Sequence, residues 1–219
     1  PEKTQLEFLG FGTMNGKDGK PFKTRDGGVM RLENLIAEIV EEMRKKIAEN
    51  RTVDPEEAEE TARIVGLSAI KYGDLSNQAF KDYVFDVDRF TSFEANTGPY
   101  ILYTIVRIKS ILNKYEADGK ALLKLKVEPA HDENEKALML EVLKYNNVIE
   151  TAFEELALHK ICAYIYDLAN AFNRFYHETK ILAEEDETKQ KGYIALLVLT
   201  KRVLEACIDV LGFAAPERM

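Results

Sequence analysis

The feature that most restricts what this chain can become is a helical period that begins at Leu32 and runs, with short breaks, to Leu211. In LENLIAEIVEEMRKKIAEN the residues Leu32, Leu35, Ile36, Ile39, Val40, Met43 and Ile47 recur at helical spacing. That spacing gathers them on one stripe of an α-helix and leaves the remaining surface polar. Acids come early and bases late, the order that the helix dipole favours. A stripe of this kind is stable only against another, so one amphipathic helix implies several. Asp54-Pro55-Glu56-Glu57 is a helix start, with an acid to accept from free amides, proline at the first helical position and Glu at the third. Its helix continues through AEETARIVGLSAIKYGDLS. Thr97-Gly98-Pro99 opens PYILYTIVRIKSILNKYEA, which closes near Gly119.

Further along, Asp132 with Glu135 opens EKALMLEVLKYNN, and Asn147 with Glu150 opens VIETAFEELA. ALHKICAYIYDLANAFNRFYHE is a long helix rich in aromatics, and LAEEDETKQ reads as an exposed connection. The last helix carries Leu196, Leu197, Val203, Leu204, Cys207, Val210 and Leu211 and stops at Gly212 before Pro216. Only TQLEFLGFGTMNG and DYVFDV look extended, and no tandem repeat occurs. The expected fold is mainly α, a helical bundle preceded by a short hairpin-like loop segment.

Composition narrows the function classes. A length of 219 residues supports a sizeable core, and 46% hydrophobic with 31% charged residues is an ordinary globular balance. No run approaches the roughly 18 apolar residues of a membrane span, and PEKTQLEFLG lacks the basic and apolar regions of a signal peptide. A cytoplasmic protein without a membrane partner is expected. Cys162 and Cys207 stand far apart in apolar helical patterns, as reduced core residues do. His131, His159 and His177 show no metal-ligand spacing, so no metal site is expected. The formal net charge of -8 is uneven. Residues 1–31 hold six Lys and Arg against four Asp and Glu, residues 32–97 eight against fifteen, and residues 98–219 sixteen against nineteen. No segment is basic enough to hold nucleic acid by phosphate contacts alone. An RNA partner would have to be read by a few placed side chains, and DNA is not expected.

Against that acidity, Gly16 to Gly28, GKDGKPFKTRDGG, gathers Lys17, Lys20, Lys23 and Arg25 among four glycines. Glycines permit close backbone approach and lysines supply compact charges, a combination that suits a polyphosphate. It is not a Walker A loop, because G-x-x-x-x-G-K-[ST] is absent. By composition alone it would be a solvated surface hairpin. Tyr100, Tyr103 and Arg107, at spacings of three and four, share one face of one helix. They offer two aromatic planes and a guanidinium, the groups by which splayed RNA bases are stacked and read.

The string Lys20-Pro21-Phe22-Lys23-Thr24-Arg25-Asp26-Gly27-Gly28, followed by Val29-Met30-Arg31-Leu32, resembles the signature loop of arginyl-tRNA synthetases. The resemblance continues in order through Asp74-Leu75-Ser76-Asn77, Asp82-Tyr83-Val84-Phe85-Asp86, Asp88-Arg89, Ser92-Phe93-Glu94 and Asn96-Thr97-Gly98-Pro99-Tyr100. It reaches Leu158-His159, Tyr166-Asp167-Leu168-Ala169 and the terminal Pro216-Glu217-Arg218-Met219. No His-Ile-Gly-His-type signature and no doubly wound α/β region occur, so the chain resembles the C-terminal part of such an enzyme, cut just before the signature loop.

The resemblance implies three regions: residues 1–31 as a signature-loop remnant of the catalytic region, 32–97 as a helical stem-contact or connecting region, and 98–219 as an α-helical anticodon-binding domain. It implies that Lys20, Lys23 and Thr24 form a catalytic ATP-phosphate loop, with Lys20 and Lys23 as ATP ligands. It also implies that Tyr100, Tyr103, Arg107, Tyr176 and Met219 contact RNA. Tyr176 falls where some members carry Trp, and Leu102 stands where Gln is common. The parent activity would be an arginine–tRNA ligase using ATP with Mg, arginine and the arginine tRNA, while the chain alone would be inactive and bind no cofactor. A stand-alone tRNA-binding module and a helical protein-interaction scaffold are the alternatives. The retained phosphate loop argues against both, since neither has a use for it.

Overall fold

The computed structural model describes residues 6–21, 31–50 and 55–219. They form β1 (Met14–Asn15), α1 (Leu32–Asn50), α2 (Pro55–Leu75), β2 (Tyr83–Val84), α3 (Val87–Phe90), α4 (Gly98–Ala117), α5 (Glu133–Leu143), α6 (Tyr145–Glu154), α7 (Leu158–Glu178) and α8 (Glu187–Val210). The mainly α bundle that the periodicity predicts is the fold. Asp54, expected to cap α2, lies outside the described residues.

Capping chemistry sets several helix starts. Thr97 sits in extended backbone, and its hydroxyl accepts from the Tyr100 amide at 3.2 Å while donating to the Ser92 carbonyl at 2.6 Å. Asp132 accepts from the Asn134 and Glu135 amides at 2.8 and 2.9 Å. Glu135 reaches past the usual capping-box partner to the His131 amide, at 2.7 Å.

Two boundaries differ from the sequence reading. α6 begins at Tyr145, ahead of Asn147, because Lys144 keeps right-handed helical backbone and its carbonyl already accepts from the Val148 amide at 3.0 Å. No side-chain cap is then needed. The polar run LAEEDETKQ is only partly a connection. Asp186 within it accepts from the Thr188 and Lys189 amides at 2.8 and 3.2 Å, so α8 starts at Glu187.

The helices form one connected core. α1 packs on α2, α2 on α4, and α4 on both α7 and α8, while α5 and α6 lie against α7. Ile39 and Met43 of α1, Ile101, Ile105 and Ile108 of α4, Phe172 of α7 and Leu197 and Leu204 of α8 are fully buried. Leu102 is among them. Its side chain faces the core, so this position offers nothing to a ligand. A Cβ on Gly98 would stand 2.3 Å from the Ser68 carbonyl oxygen, so α4 can begin directly on the α2 backbone only with glycine there. The Tyr72 hydroxyl donates to the Cys162 carbonyl at 2.8 Å, tying α2 to α7. Cys162 and Cys207 are free and buried, and burial pushes both thiols up to about 12.

The opening segment is stitched to the stretch before α3. β1 runs parallel to β2, with Met14 opposite Tyr83 and Asn15 opposite Val84. The Gly12 amide donates to the Ala79 carbonyl at 2.7 Å, and the Thr13 amide to Asp82 Oδ1 at 2.7 Å. Asn15 then bridges Pro21 in antiparallel sense, and the Gly16 amide donates to the Lys20 carbonyl at 2.8 Å. The turn is hairpin-like, as its glycines predict.

Candidate nucleic-acid interface

The outer face of α4 is what its buried face leaves over. Ile101, Leu102, Ile105, Ile108 and Leu112 take the core side, which turns Tyr103 and Arg107 outward and leaves Tyr100 at the border. On α7 the residues Tyr166, Asn170, Asn173 and Tyr176 recur at spacings of four, three and three, so they line one edge beside the buried Phe172 and Phe175. α4 and α7 pack together, and these two edges meet.

At their junction the Arg107 guanidinium lies 4.7 Å from the Tyr103 ring centroid and 5.0 Å from that of Tyr176. Arg107 Nη1 donates to Asn173 Oδ1 at 2.6 Å. Asn173 Nδ2 donates to the Tyr100 hydroxyl at 2.8 Å and to Thr104 Oγ1 at 3.3 Å. Tyr100 in turn donates its hydroxyl proton to Asn170 Oδ1 at 2.7 Å. Burial pushes the Tyr100 hydroxyl above the ordinary phenol range, with the Asn173 hydrogen bond opposing, so it stays a proton donor at neutral pH. The Tyr176 ring also stacks on Phe172, with centroids 6.0 Å apart and planes at 26°. Tyr103 and Tyr176 remain 39% and 36% exposed, enough to leave ring surface open to a flat ligand.

Tyr100, Tyr103, Arg107 and Tyr176 thus form one continuous group although they come from two helices. Met219 is half-buried against the core, in a surface cleft floored by Val106, Ser110, Asn113 and Lys114 of α4. Arg107 is not among the residues lining that cleft, so the structure does not bring Met219 into the group at the α4–α7 junction. Two participants escaped the sequence reading. Asn173 joins Arg107 to Tyr100, and Asn170 ends the chain of hydrogen bonds. Their α7 spacing with Tyr166 and Tyr176 is the signal that could have found them.

The opening loop is seen only in part. Lys20 is exposed, with its amide donating to Asp18 Oδ1 at 3.1 Å. Lys23 and Thr24 lie outside the described residues. Lys17 is already engaged, pairing with Asp86 at 3.0 Å and Asp88 at 3.3 Å. Although burial opposes it, the Lys17 ammonium beside Asp86 holds that carboxyl below the usual carboxylate range. Asp86 also caps α3 through the Asp88 amide at 3.1 Å, in keeping with a capping role. Among the described residues no group of three or more His, Cys, Asp and Glu gathers as metal ligands would, and no helix is long and apolar enough to cross a membrane.

At this junction a half-buried guanidinium is fixed by a side-chain amide between two tyrosine rings. Residues 101–219 match the family described as the DALR anticodon binding domain, and residues 1–87 the family described as tRNA synthetases class I (R), catalytic domain. The chain belongs to the arginyl-tRNA synthetase family.

It is 66% identical over 227 residues to the arginine–tRNA ligase of Agathobacter rectalis, with 100% of this chain and 38% of that relative covered. With the arginine–tRNA ligase of Alkaliphilus oremlandii it shares 56% identity over 218 residues, covering 100% of this chain and 37% of the relative. The solved arginyl-tRNA synthetase of Thermus thermophilus superposes with a TM-score of 0.83 at 26% identity, covering 96% of this chain and 35% of that one. The chain therefore spans somewhat more than a third of the length of the curated relatives.

Proposed function

We propose that this chain is the anticodon-reading part of an arginine–tRNA ligase, with residues 98–219 as the reading bundle and residues 32–97 as the region connecting it to the catalytic part. The observation that carries the reading is the Arg107 guanidinium held between Tyr103 and Tyr176. The part-exposed rings of Tyr103 and Tyr176 offer surface on which bases of any sequence stack, and the guanidinium N–H groups left over by Asn173 supply donors for a base edge. Residues 98–219 carry a net -3, so phosphate attraction adds little and discrimination falls to this cluster. Met219 adds a separate contact from its own cleft on α4.

In the ligase as a whole, Lys20, Lys23 and Thr24 would meet the triphosphate of ATP, whose Mg neutralises part of its charge. Fixed cations there stabilise charge developing as arginine is adenylated. The arginyl group then passes to the terminal ribose of the tRNA. A cytoplasmic site of action accords with this role.

The test is binding of an arginine-tRNA transcript to residues 1–219, compared with the same transcript altered in the anticodon. The native transcript should bind more tightly, and Tyr103→Ala should remove most of the difference. Equal binding of both transcripts would overturn anticodon reading in favour of a tRNA-binding module of another kind, and no binding would favour a protein-interaction scaffold.

A further inference from the structure

Lys109 is a cation placed where a bundle has no need of one. It lies in α4 between the buried Ile108 and Ile111, with 10% of its side chain exposed. Burying an ammonium is costly unless acceptors replace its water. Its Nζ donates to Glu217 Oε1 at 2.6 Å and to the Pro216 carbonyl at 3.3 Å, and it pairs with Glu205 of α8 at 3.8 Å. Glu205 is shared with Lys201, at 3.2 Å.

Two of the three partners of Lys109 belong to the last four residues of the chain. The Glu217 side chain is itself 80% exposed, so the pair contributes little burial on that side. What it specifies is a path. The preceding tail is fixed independently, with Phe213 and Pro216 buried and the Gly212 carbonyl hydrogen-bonded to Lys71. Beyond Pro216, the contacts with Lys109 direct Glu217, Arg218 and Met219 into the cleft over Val106 and Ser110. Those two residues flank Arg107 on the helix, one before it and three after.

We infer that Lys109 is a positioning residue for RNA recognition, acting through the C-terminal tail to hold Met219 in the cleft over Val106 and Ser110 of α4. This rests on the anticodon-reading function proposed above. Removing the ammonium touches none of the contacts of Arg107, Tyr103 and Tyr176; it releases the tail and leaves Glu205 to Lys201. An effect on RNA that disappears once Met219 is removed would therefore have passed through the tail.

The experiment uses residues 1–219 with an arginine-tRNA transcript as the probe, reading affinity by fluorescence anisotropy and tail protection by amide hydrogen exchange. Lys109→Met should weaken binding about tenfold, the range of coupling between interacting groups, and should have no further effect once Met219 has been removed. Lys109→Arg should restore most of the affinity. Glu217→Gln alters an exposed side chain that cannot endanger the core, and should weaken binding in the same direction by a smaller factor. In Lys109→Met and Glu217→Gln the amides of residues 217–219 should exchange faster.

The inference is overturned if both variants bind RNA as the parent does. It is also overturned if Lys109→Met weakens binding equally with and without Met219. If Lys109→Met fails to fold, Glu217→Gln decides. Tyr103→Ala separates the two readings: where it weakens binding and the tail variants do not, only the role of Lys109 falls, and where none of them changes binding, the anticodon reading itself falls.

Discussion

Arg107 Nη1 donates to Asn173 Oδ1 at 2.6 Å, across the junction between α4 and α7. This contact sets the guanidinium between the rings of Tyr103 and Tyr176. A free arginine on a helix surface would sample many rotamers and lose that freedom on binding. Here part of that loss has already occurred on folding, so a base stacking at this site would meet a prepared surface.

Asn173→Ala should weaken RNA binding by about 1.5–3 kcal/mol, the scale of a hydrogen bond to a charged group, with a smaller change in unfolding free energy. The Tyr100 hydroxyl keeps its bond to Asn170, so the loss should pass through Arg107 and should not add to that of Arg107→Ala. Anisotropy titrations on the two single variants and the double variant measure this. Full additivity would show that Asn173 does not act through Arg107.

Tyr103→Ala or Tyr176→Ala should each cost roughly 1–3 kcal/mol of RNA affinity, the scale of one lost base stack. Arg107→Lys should not preserve function, because an ammonium has neither the plane that stacks between two rings nor the fork that reaches Asn173 and a ligand together. Binding by Arg107→Lys at the parent level would remove stacking from the account.

Gly98→Ala should destabilise the fold by about 1–3 kcal/mol or more, since the new methyl meets the Ser68 carbonyl oxygen at 2.3 Å and backbone must move. Denaturant unfolding followed by circular dichroism gives the number. An unchanged midpoint would mean that α4 does not rest on α2 as described.

The carboxylate of Asp186 at the start of α8 is held below its ordinary range by the backbone amides of Lys189 and Thr188. A folded-state value below the unfolded one contributes stability at pH values above the unfolded pKa of about 3.9, and loses it as pH falls through the folded value. Asn caps as well as Asp but carries no charge. The melting temperature of Asp186→Asn should therefore fall below that of the parent at neutral pH. The two should converge as pH drops below the carboxylate range, and a gap that persists in acid would refute the charge-based cap.

Cys162 and Cys207 should resist alkylation in the native protein. Both thiols are buried and pushed up to about 12, so neither supplies thiolate at neutral pH. Mass-spectrometric counting of iodoacetamide adducts should find almost none natively and two after unfolding. Rapid native labelling would place at least one thiol at the surface.

The local chemistry of this sequence determined its helices. The stripe from Leu35 to Ile47, though not the exposed Leu32 expected to begin it, the hydroxyl of Thr97 before Gly98-Pro99, and Asp132 before Glu135 act within a turn or two of the backbone, so their consequences can be read without knowing the fold. The face shared by Tyr100, Tyr103 and Arg107 is equally local. It follows from 3.6 residues per turn.

What lies between helices was decided only in three dimensions. That Leu102 turns inward while Tyr103 turns outward depends on where α2, α7 and α8 press on α4. Asn173 became the link between Arg107 and Tyr100 because α7 crosses α4 at that height. Lys109 reached the tail 108 positions later through a shared interior surface that no sequence spacing encodes. Helical period and capping act over a few residues, whereas the partner of an inward or sideways side chain is chosen by packing the whole chain at once.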